Sequence, residues 1–271
     1  MHQQHPNIVL VFAGNDPSGG AGIMADIEAI ASMGCQAAPV ITALTVQDTQ
    51  NVMRLDPVDS TVVIEQARAI LEDMPVAAVK IGLLATLENI EAVHTILTDY
   101  PDLPVVMDPI LRAGGGSRLS SDEMQDAMRE LLFPLVTVLT PNSEEARALA
   151  HEADTLDACA QELLSDGCEL LLITGTHEST ETVDNRLYAN RRLLDTFSWG
   201  RLPDNYHGSG CTLASAIAGL LAQGLEPFTA IHEAQEYTWE ALRNGYRIGM
   251  GQHHPNRLFW AREDENEQNQ E

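Results

Sequence analysis

Short apolar runs rich in β-branched residues alternate along this chain with amphipathic stretches of helical period, and no other feature constrains the fold as strongly. Such alternation argues for a mostly parallel sheet whose crossover helices cover both faces, an α/β class. The runs Ile8–Phe12, Pro39–Leu44, Ala78–Ile81, Val105–Met107, Val136–Leu139 and Leu170–Thr174 read as strands. Helices are expected near Ala21–Met33, Ser60–Asp73, Leu87–Thr98, Ser121–Leu132, Ser143–His151, Leu156–Ser165, Thr212–Gln223 and Phe228–Arg247. Between the last strand and the last two helices, Arg186–Arg201 carries short apolar pieces that suit a small antiparallel excursion. The reading is one domain over residues 1–260, with a polar, disordered tail at 261–271.

A chain of 271 residues can bury a full core without staples. No apolar run approaches the roughly 20 residues of a membrane span, and the opening residues lack the pattern of a signal peptide, so a cytoplasmic protein is expected. The formal net charge is −25, from 40 acids against 15 bases. A field of that sign repels phosphate backbones and excludes nucleic acid as an expected partner. It reads either as adaptation to a salty cytoplasm or as ordinary surface acidity. Cys35, Cys159, Cys168 and Cys211 show neither close pairing nor metal-ligand spacing, and His253-His254 reads as a surface pair.

In open α/β sheets ligands bind beyond the carboxyl ends of strands, and several polar loops fall there. Gly14-Asn-Asp-Pro-Ser-Gly-Gly-Ala-Gly22 lets a ligand approach the main chain, or forms a flexible turn before a helix. Within it Gly20-x-Gly22-x-x-Ala25 matches a dinucleotide fingerprint, but no acid ends the second strand. His207-Gly-Ser-Gly-Cys-Thr212 runs into an apolar helix, where exposed N–H groups and the dipole suit a transferring phosphoryl group. The same field is expected to lower the Cys211 thiol pKa and make it a proton acceptor. Asp108 closes an apolar strand and suits Mg²⁺, or belongs to an Asp-Pro turn. Asn142 and Glu145 have capping-box spacing and also suit a Mg²⁺ or water site. Thr174-Gly-Thr-His177 is either a phosphate-facing loop or a plain turn, and Gln47 carries a donor and an acceptor side by side.

The order of these motifs resembles the hydroxymethylpyrimidine/phosphomethylpyrimidine kinase family of the ribokinase-like superfamily, from about Asn7 to Gly251. The stretches that carry the resemblance are Gly14-x-Asp-Pro-Ser-Gly-Gly-Ala-Gly22, Val40-Ile-Thr-Ala-Leu44 with Gln47, Lys80-Ile-Gly82, Thr140-Pro-Asn142 and Gly208-x-Gly-Cys-Thr212.

That resemblance implies a ribokinase-like fold and ATP- and Mg²⁺-dependent phosphorylation of 4-amino-5-hydroxymethyl-2-methylpyrimidine, then of its monophosphate, in thiamine synthesis. It implies Cys211 as proton acceptor and Gly208, Ser209 and Gly210 with Cys211 as the anion hole. Gln47, Gly14, Asp16, Ala21, Leu83 and Ile110 would form the substrate pocket, with Asp26 bracing the glycine-rich loop. Asn142, Thr174, Gly175, Thr176 and His177 would meet ATP, Asp108 and Glu145 would hold the metal, and the protein would be a homodimer. Two lysines usual in the family are absent: one position is Thr174, and the other lies in Ala113-Gly-Gly-Gly116. Arg112 or Arg118 could replace their charge. Leu83 stands for the usual Met, a volume-conserving change. Competing readings are a pyridoxal or pyridoxine kinase and a pyrimidine-binding protein with weak turnover.

Overall fold

The computed structural model describes residues 5–151 and 153–262. Residues 1–4 and most of the expected tail, 263–271, lie outside them; 261 and 262 end a 3₁₀ turn, Phe259–Arg262.

Among the described residues nine strands form one sheet: β1 (Ile8–Asn15), β2 (Gln36–Gln47), β3 (Val52–Pro57), β4 (Val76–Ile81), β5 (Val105–Met107), β6 (Val138–Leu139), β7 (Leu170–Ile173), β8 (Thr182–Ala189) and β9 (Arg192–Gly200). Their order is β3-β2-β1-β4-β5-β6-β7-β8-β9. Six neighbours, β2 to β7, run parallel, while β3 and the β8–β9 pair are antiparallel at opposite edges. From β1 the chain first builds outward through β2 and β3, then crosses back to β4 on the other side, so the loops after β1 and β4 diverge at a switch point.

The helices are α1 (Gly22–Ser32), α2 (Ser60–Asp73), α3 (Leu87–Asp99), α4 (Asp122–Ala127), α5 (Ser143–Leu149), α6 (Leu156–Ser165), α7 (Ser209–Ala222) and α8 (Pro227–Arg243). Period-two alternation along β1 explains the two layers. Val9 and Val11 pack with Ile23 and Ile30 of α1, Leu213 and Ile217 of α7, and Ile231 of α8. Leu10 and Phe12 face the other way, toward Val63 of α2, Ile90 and Val93 of α3, and Leu156 and Leu163 of α6.

The expected small excursion is a hairpin that extends the edge of the main sheet, with Leu171 opposite Tyr188 and Ile173 opposite Arg186. β3 was not foreseen. Its side chains are half-buried or exposed throughout, so it lacks the one-sided apolar pattern that marks a strand. The helix expected at Ser121–Leu132 changes pitch after Ala127 into a π-helical turn, Met128–Leu132, which buries Met128 and Leu132. All four cysteines are free and buried.

Candidate active site

Five of the eight α-helices among the described residues begin with a side chain capping their N–H groups: Asp59, Thr86, Ser121, Asn142 and Thr155. The helices α1 and α7 do not, and both open at the carboxyl ends of the strands. At α7 the N-cap is Gly208 in the left-handed region, φ 83°, which leaves first-turn amides of Ser209, Gly210 and Cys211 free of any side-chain cap. Gly208 is required for two reasons. Its backbone conformation favours glycine, and a Cβ there would overlap the Gly20 carbonyl of the loop after β1. The two glycine-bearing loops thus meet, and a side chain on Gly22 would likewise strike the Gly14 carbonyl.

Asp16 shapes the first loop. Its Oδ1 accepts from Ser18 N at 2.8 Å, and its Oδ2 accepts from Ala21 N at 2.9 Å and meets His207 Nε2 at 2.8 Å. Burial pushes the carboxyl up, but the hydrogen bonds from His207 and Ser18 outweigh it and hold Asp16 below the usual range. Gln47, at the end of β2, also lies 2.8 Å from His207 Nε2. A narrow cleft of about 10 Å³ opens beside these two side chains, closed by Asp48–Val52, Ala113–Gly115 and Gln252. Leu83 Cδ2 stands 3.1 Å from where a Cβ of Gly14 would be, and Ile110 follows Asp108 on the neighbouring strand end, its side chain half-buried. A larger surface cavity, about 640 Å³ and lined by Leu164, Cys168 and Arg191, lies at the opposite, amino-terminal end of the parallel strands.

Cys211 and Asp108 are both buried and adjacent; a Cβ on Gly210 would stand 3.1 Å from Asp108 Oδ2. Contrary to the expectation from the helix field, the Cys211 thiol is pushed up to about 12. Burial dominates, Lys80 pulls it back, and the Asp108 and Asp26 charges push further. Asp108 is raised to about 6, chiefly by burial against the pull of Lys80. Glu145 is raised to about 8 by burial and by the Asp108 charge, against hydrogen bonds from the Asn142 and Leu111 amides.

Asp26 lies on the inner face of α1. It is fully buried and pairs with Lys80 at 2.8 Å, while Ser215 Oγ donates to the same oxygen at 2.6 Å. It therefore ties α1 to β4 and α7 beneath the loops. His254 is another correction: it is buried, with its ring 6.1 Å from that of His207. Arg118 is engaged with Ser120 O and Asp122, so only Arg112, which is exposed, keeps an unengaged charge near the Gly114–Gly116 turn.

The Asn142–Glu145 capping box is present: Asn142 Oδ1 accepts from the Glu144 and Glu145 amides, and Glu145 Oε2 accepts from Asn142 N. Thr174 bridges to this segment, with Ser143 N donating to Thr174 O at 3.0 Å. Gly175 N donates to Asn185 Oδ1, and any Cβ there would strike the Asp184 carbonyl. Thr176 and His177 are exposed, and Arg201 donates to the Thr176, Glu178 and Thr180 carbonyls, clamping their loop. Lys80, Ser215, Arg201, His207 and Arg257 carry no role in the sequence reading. Arg257 is buried and donates to Thr212 Oγ1 at 2.8 Å and to the Gly20 carbonyl, joining α7 to the loop after β1. The positions of His207 beside Gly208-x-Gly-Cys and of Lys80 in Lys80-Ile-Gly82 were signals; the rest depend on long-range pairing.

The sequence profile of the phosphomethylpyrimidine kinase family matches residues 16–256, nearly the whole chain and every loop of this site. The chain belongs to that family. It is 34% identical over 248 residues to the hydroxymethylpyrimidine/phosphomethylpyrimidine kinase of Aquifex aeolicus, covering 90% of this chain and 97% of that one. It is 36% identical over 260 residues to a bifunctional thiamine biosynthesis protein of Geobacter sulfurreducens, of which it spans about half, 53%, while 94% of this chain is matched. An ADP complex of Bacillus subtilis pyridoxal kinase superposes with a TM-score of 0.84 at 27% identity, over 94% of this chain and 99% of that one. Within this phosphomethylpyrimidine kinase family the fold is ribokinase-like, and among the described residues no helix is long and apolar enough to cross a membrane.

Proposed function

We propose that this phosphomethylpyrimidine kinase family member transfers the γ-phosphoryl group of ATP to the hydroxymethyl group of 4-amino-5-hydroxymethyl-2-methylpyrimidine and then to its monophosphate, serving thiamine synthesis. The observation that carries the reading is the uncapped start of α7, with Cys211 beside Asp108, opening next to the cavity of Gln47 and His207.

Gln47 reads the aminopyrimidine edge, and Gly14, Asp16, Ala21, Leu83 and Ile110 enclose the ring. The amides from Gly208 to Cys211 face the oxygens of the transferring group, where preorganised donors act with little reorganisation. Cys211 receives the hydroxyl proton as the new O–P bond forms and passes its own thiol proton to the adjacent Asp108 carboxylate, with which it is hydrogen-bonded. Its raised pKa makes the neutral thiol the resting form, so the proton moves through it as a relay rather than onto a standing thiolate. ATP lies against Asn142 and Thr174 to His177. Asp108 and Glu145 are buried carboxyls, the charge of the first pushing up the pKa of the second, a repulsion that a cation would relieve, and Mg²⁺ needs only one or two protein ligands when phosphates supply others. Asp108 and Glu145 would hold it, and it would neutralise charge developing on the phosphoryl oxygens. A homodimer in the cytoplasm completes the reading.

The test is ADP release with Mg-ATP and the pyrimidine, beside pyridoxal, at low and high KCl. Turnover on the pyrimidine supports the proposal. Preference for pyridoxal moves the function to that vitamer, a reading favoured by the 27% identical pyridoxal kinase neighbour. A folded sample inactive on both leaves a binding protein.

A further inference from the structure

His207 Nε2 meets two groups at once: Asp16 Oδ2 and the terminal amide of Gln47, each at 2.8 Å. Asp16 is ionised and already accepts from Ala21 N and Ser18 N, so the imidazole must present a proton on Nε2. A nitrogen that carries a proton is not an acceptor. With the Gln47 amino group toward it, two N–H donors face each other. On the far side, Gln47 Oε1 lies 3.2 Å from Thr45 Oγ1, which itself lies 3.0 Å from the Asn15 carbonyl. A half-turn of the Gln47 amide removes the donor–donor clash without moving a heavy-atom outline. Oε1 then shares the single Nε2–H of His207 with Asp16 Oδ2 in a three-centre bond, Gln47 Nε2 donates to Thr45, and the Thr45 hydroxyl donates to Asn15 O.

We propose that His207, held by Asp16, is a positioning residue that fixes the orientation of the Gln47 amide and so sets which ring edge the pocket accepts. This deepens the kinase reading above and rests on it. An amide locked in this way keeps one oxygen lone pair and one N–H free. It matches a ring that presents an amino donor beside an unprotonated ring nitrogen. It mismatches the 4-oxo analogue, whose edge is reversed: a carbonyl acceptor beside a ring N–H. An amide free to rotate would take either edge.

The experiment compares Kd, by calorimetry, for 5-hydroxymethyl-2-methyl-4-aminopyrimidine and its 4-oxo counterpart, with kcat and KM alongside. The parent protein is expected to prefer the amino ring by on the order of tenfold or more. In His207→Leu and Thr45→Val that preference shrinks, because the 4-oxo ring gains relative to the amino ring, while kcat on the amino ring falls less than KM rises. His207→Gln, which keeps a donor near the same place, restores part of the preference. Equal Kd values in the parent overturn the proposal, as does an unchanged ratio in Thr45→Val beside a parent that discriminates, or in His207→Leu if it folds. Because the ratio is read from binding, absence of turnover in the parent counts against the kinase reading alone.

Discussion

Cys211 and Asp108 share one buried corner, and their charges oppose each other. Cys211→Ala is expected to lower kcat by roughly 10²–10⁴ while leaving the pyrimidine Kd unchanged, as loss of a general base does; a near-parental kcat assigns the proton elsewhere. Lys80 makes the second prediction. Its Nζ and Asp26 are entirely excluded from water, so removing one partner strands the other charge. Lys80→Met alone should cost about 3–5 kcal/mol in denaturant unfolding, and Lys80→Met with Asp26→Leu should recover most of it. Equal losses in the single and double variants would show that the pair, rather than a stranded charge, supplies the stability. At this scale the sequence disclosed the residues but not their partners. Gly208 to Cys211 were legible because glycines before an apolar helix have few uses. The partner of Asp26 was hidden because its counter-charge lies 54 positions away along the chain. The thiol pKa was misjudged for the same reason: local reasoning supplied the helix field, while burial and Asp108 come from tertiary structure.

The elements divide by how their ends are finished. A capping box at the start of α5 holds that helix against the end of β6 without help from a ligand. Asn142→Ala should therefore cost about 0.5–2 kcal/mol of stability, read from thermal or denaturant unfolding, whether or not nucleotide is present. If the loss appeared only with ATP bound, Asn142 would serve the nucleotide rather than the helix. The parallel strands β1, β4, β5 and β7 were legible because buried central strands read as short apolar runs. β3 was not, because it is an edge strand paired through its backbone to β2 with little burial on either face. The break at Ala127 was equally hidden: the apolar period continues through Met128 and Leu132, and only packing dictates a wider turn.

For the whole molecule, pH and salt are the levers. Asp108 and Glu145 bind protons more readily folded than unfolded, with values near 6 and 8 against ordinary carboxylate values near 4. The folded state therefore carries more protons between those limits, and its stability falls as pH rises through them. Metal-free protein should show Tm declining from pH 5 to pH 8, with Mg-ATP flattening the decline; a Tm that climbs over this range contradicts the raised values. A net charge of −25 adds self-repulsion that counter-ions screen, so Tm should rise with KCl. An unchanged Tm would leave the acidity as mere surface composition.

Lys80 is the chain's only lysine, and the fold hides its amine completely. Acylating reagents thus find no side-chain amine on the native surface, and immobilisation or cross-linking through lysine cannot hold the folded protein. The same seclusion turns Lys80 into a clock. Its modification can proceed only when α1, β4 and α7 part, so the rate of acylation measures how often the sheet opens, a kinetic stability read from a single mass shift.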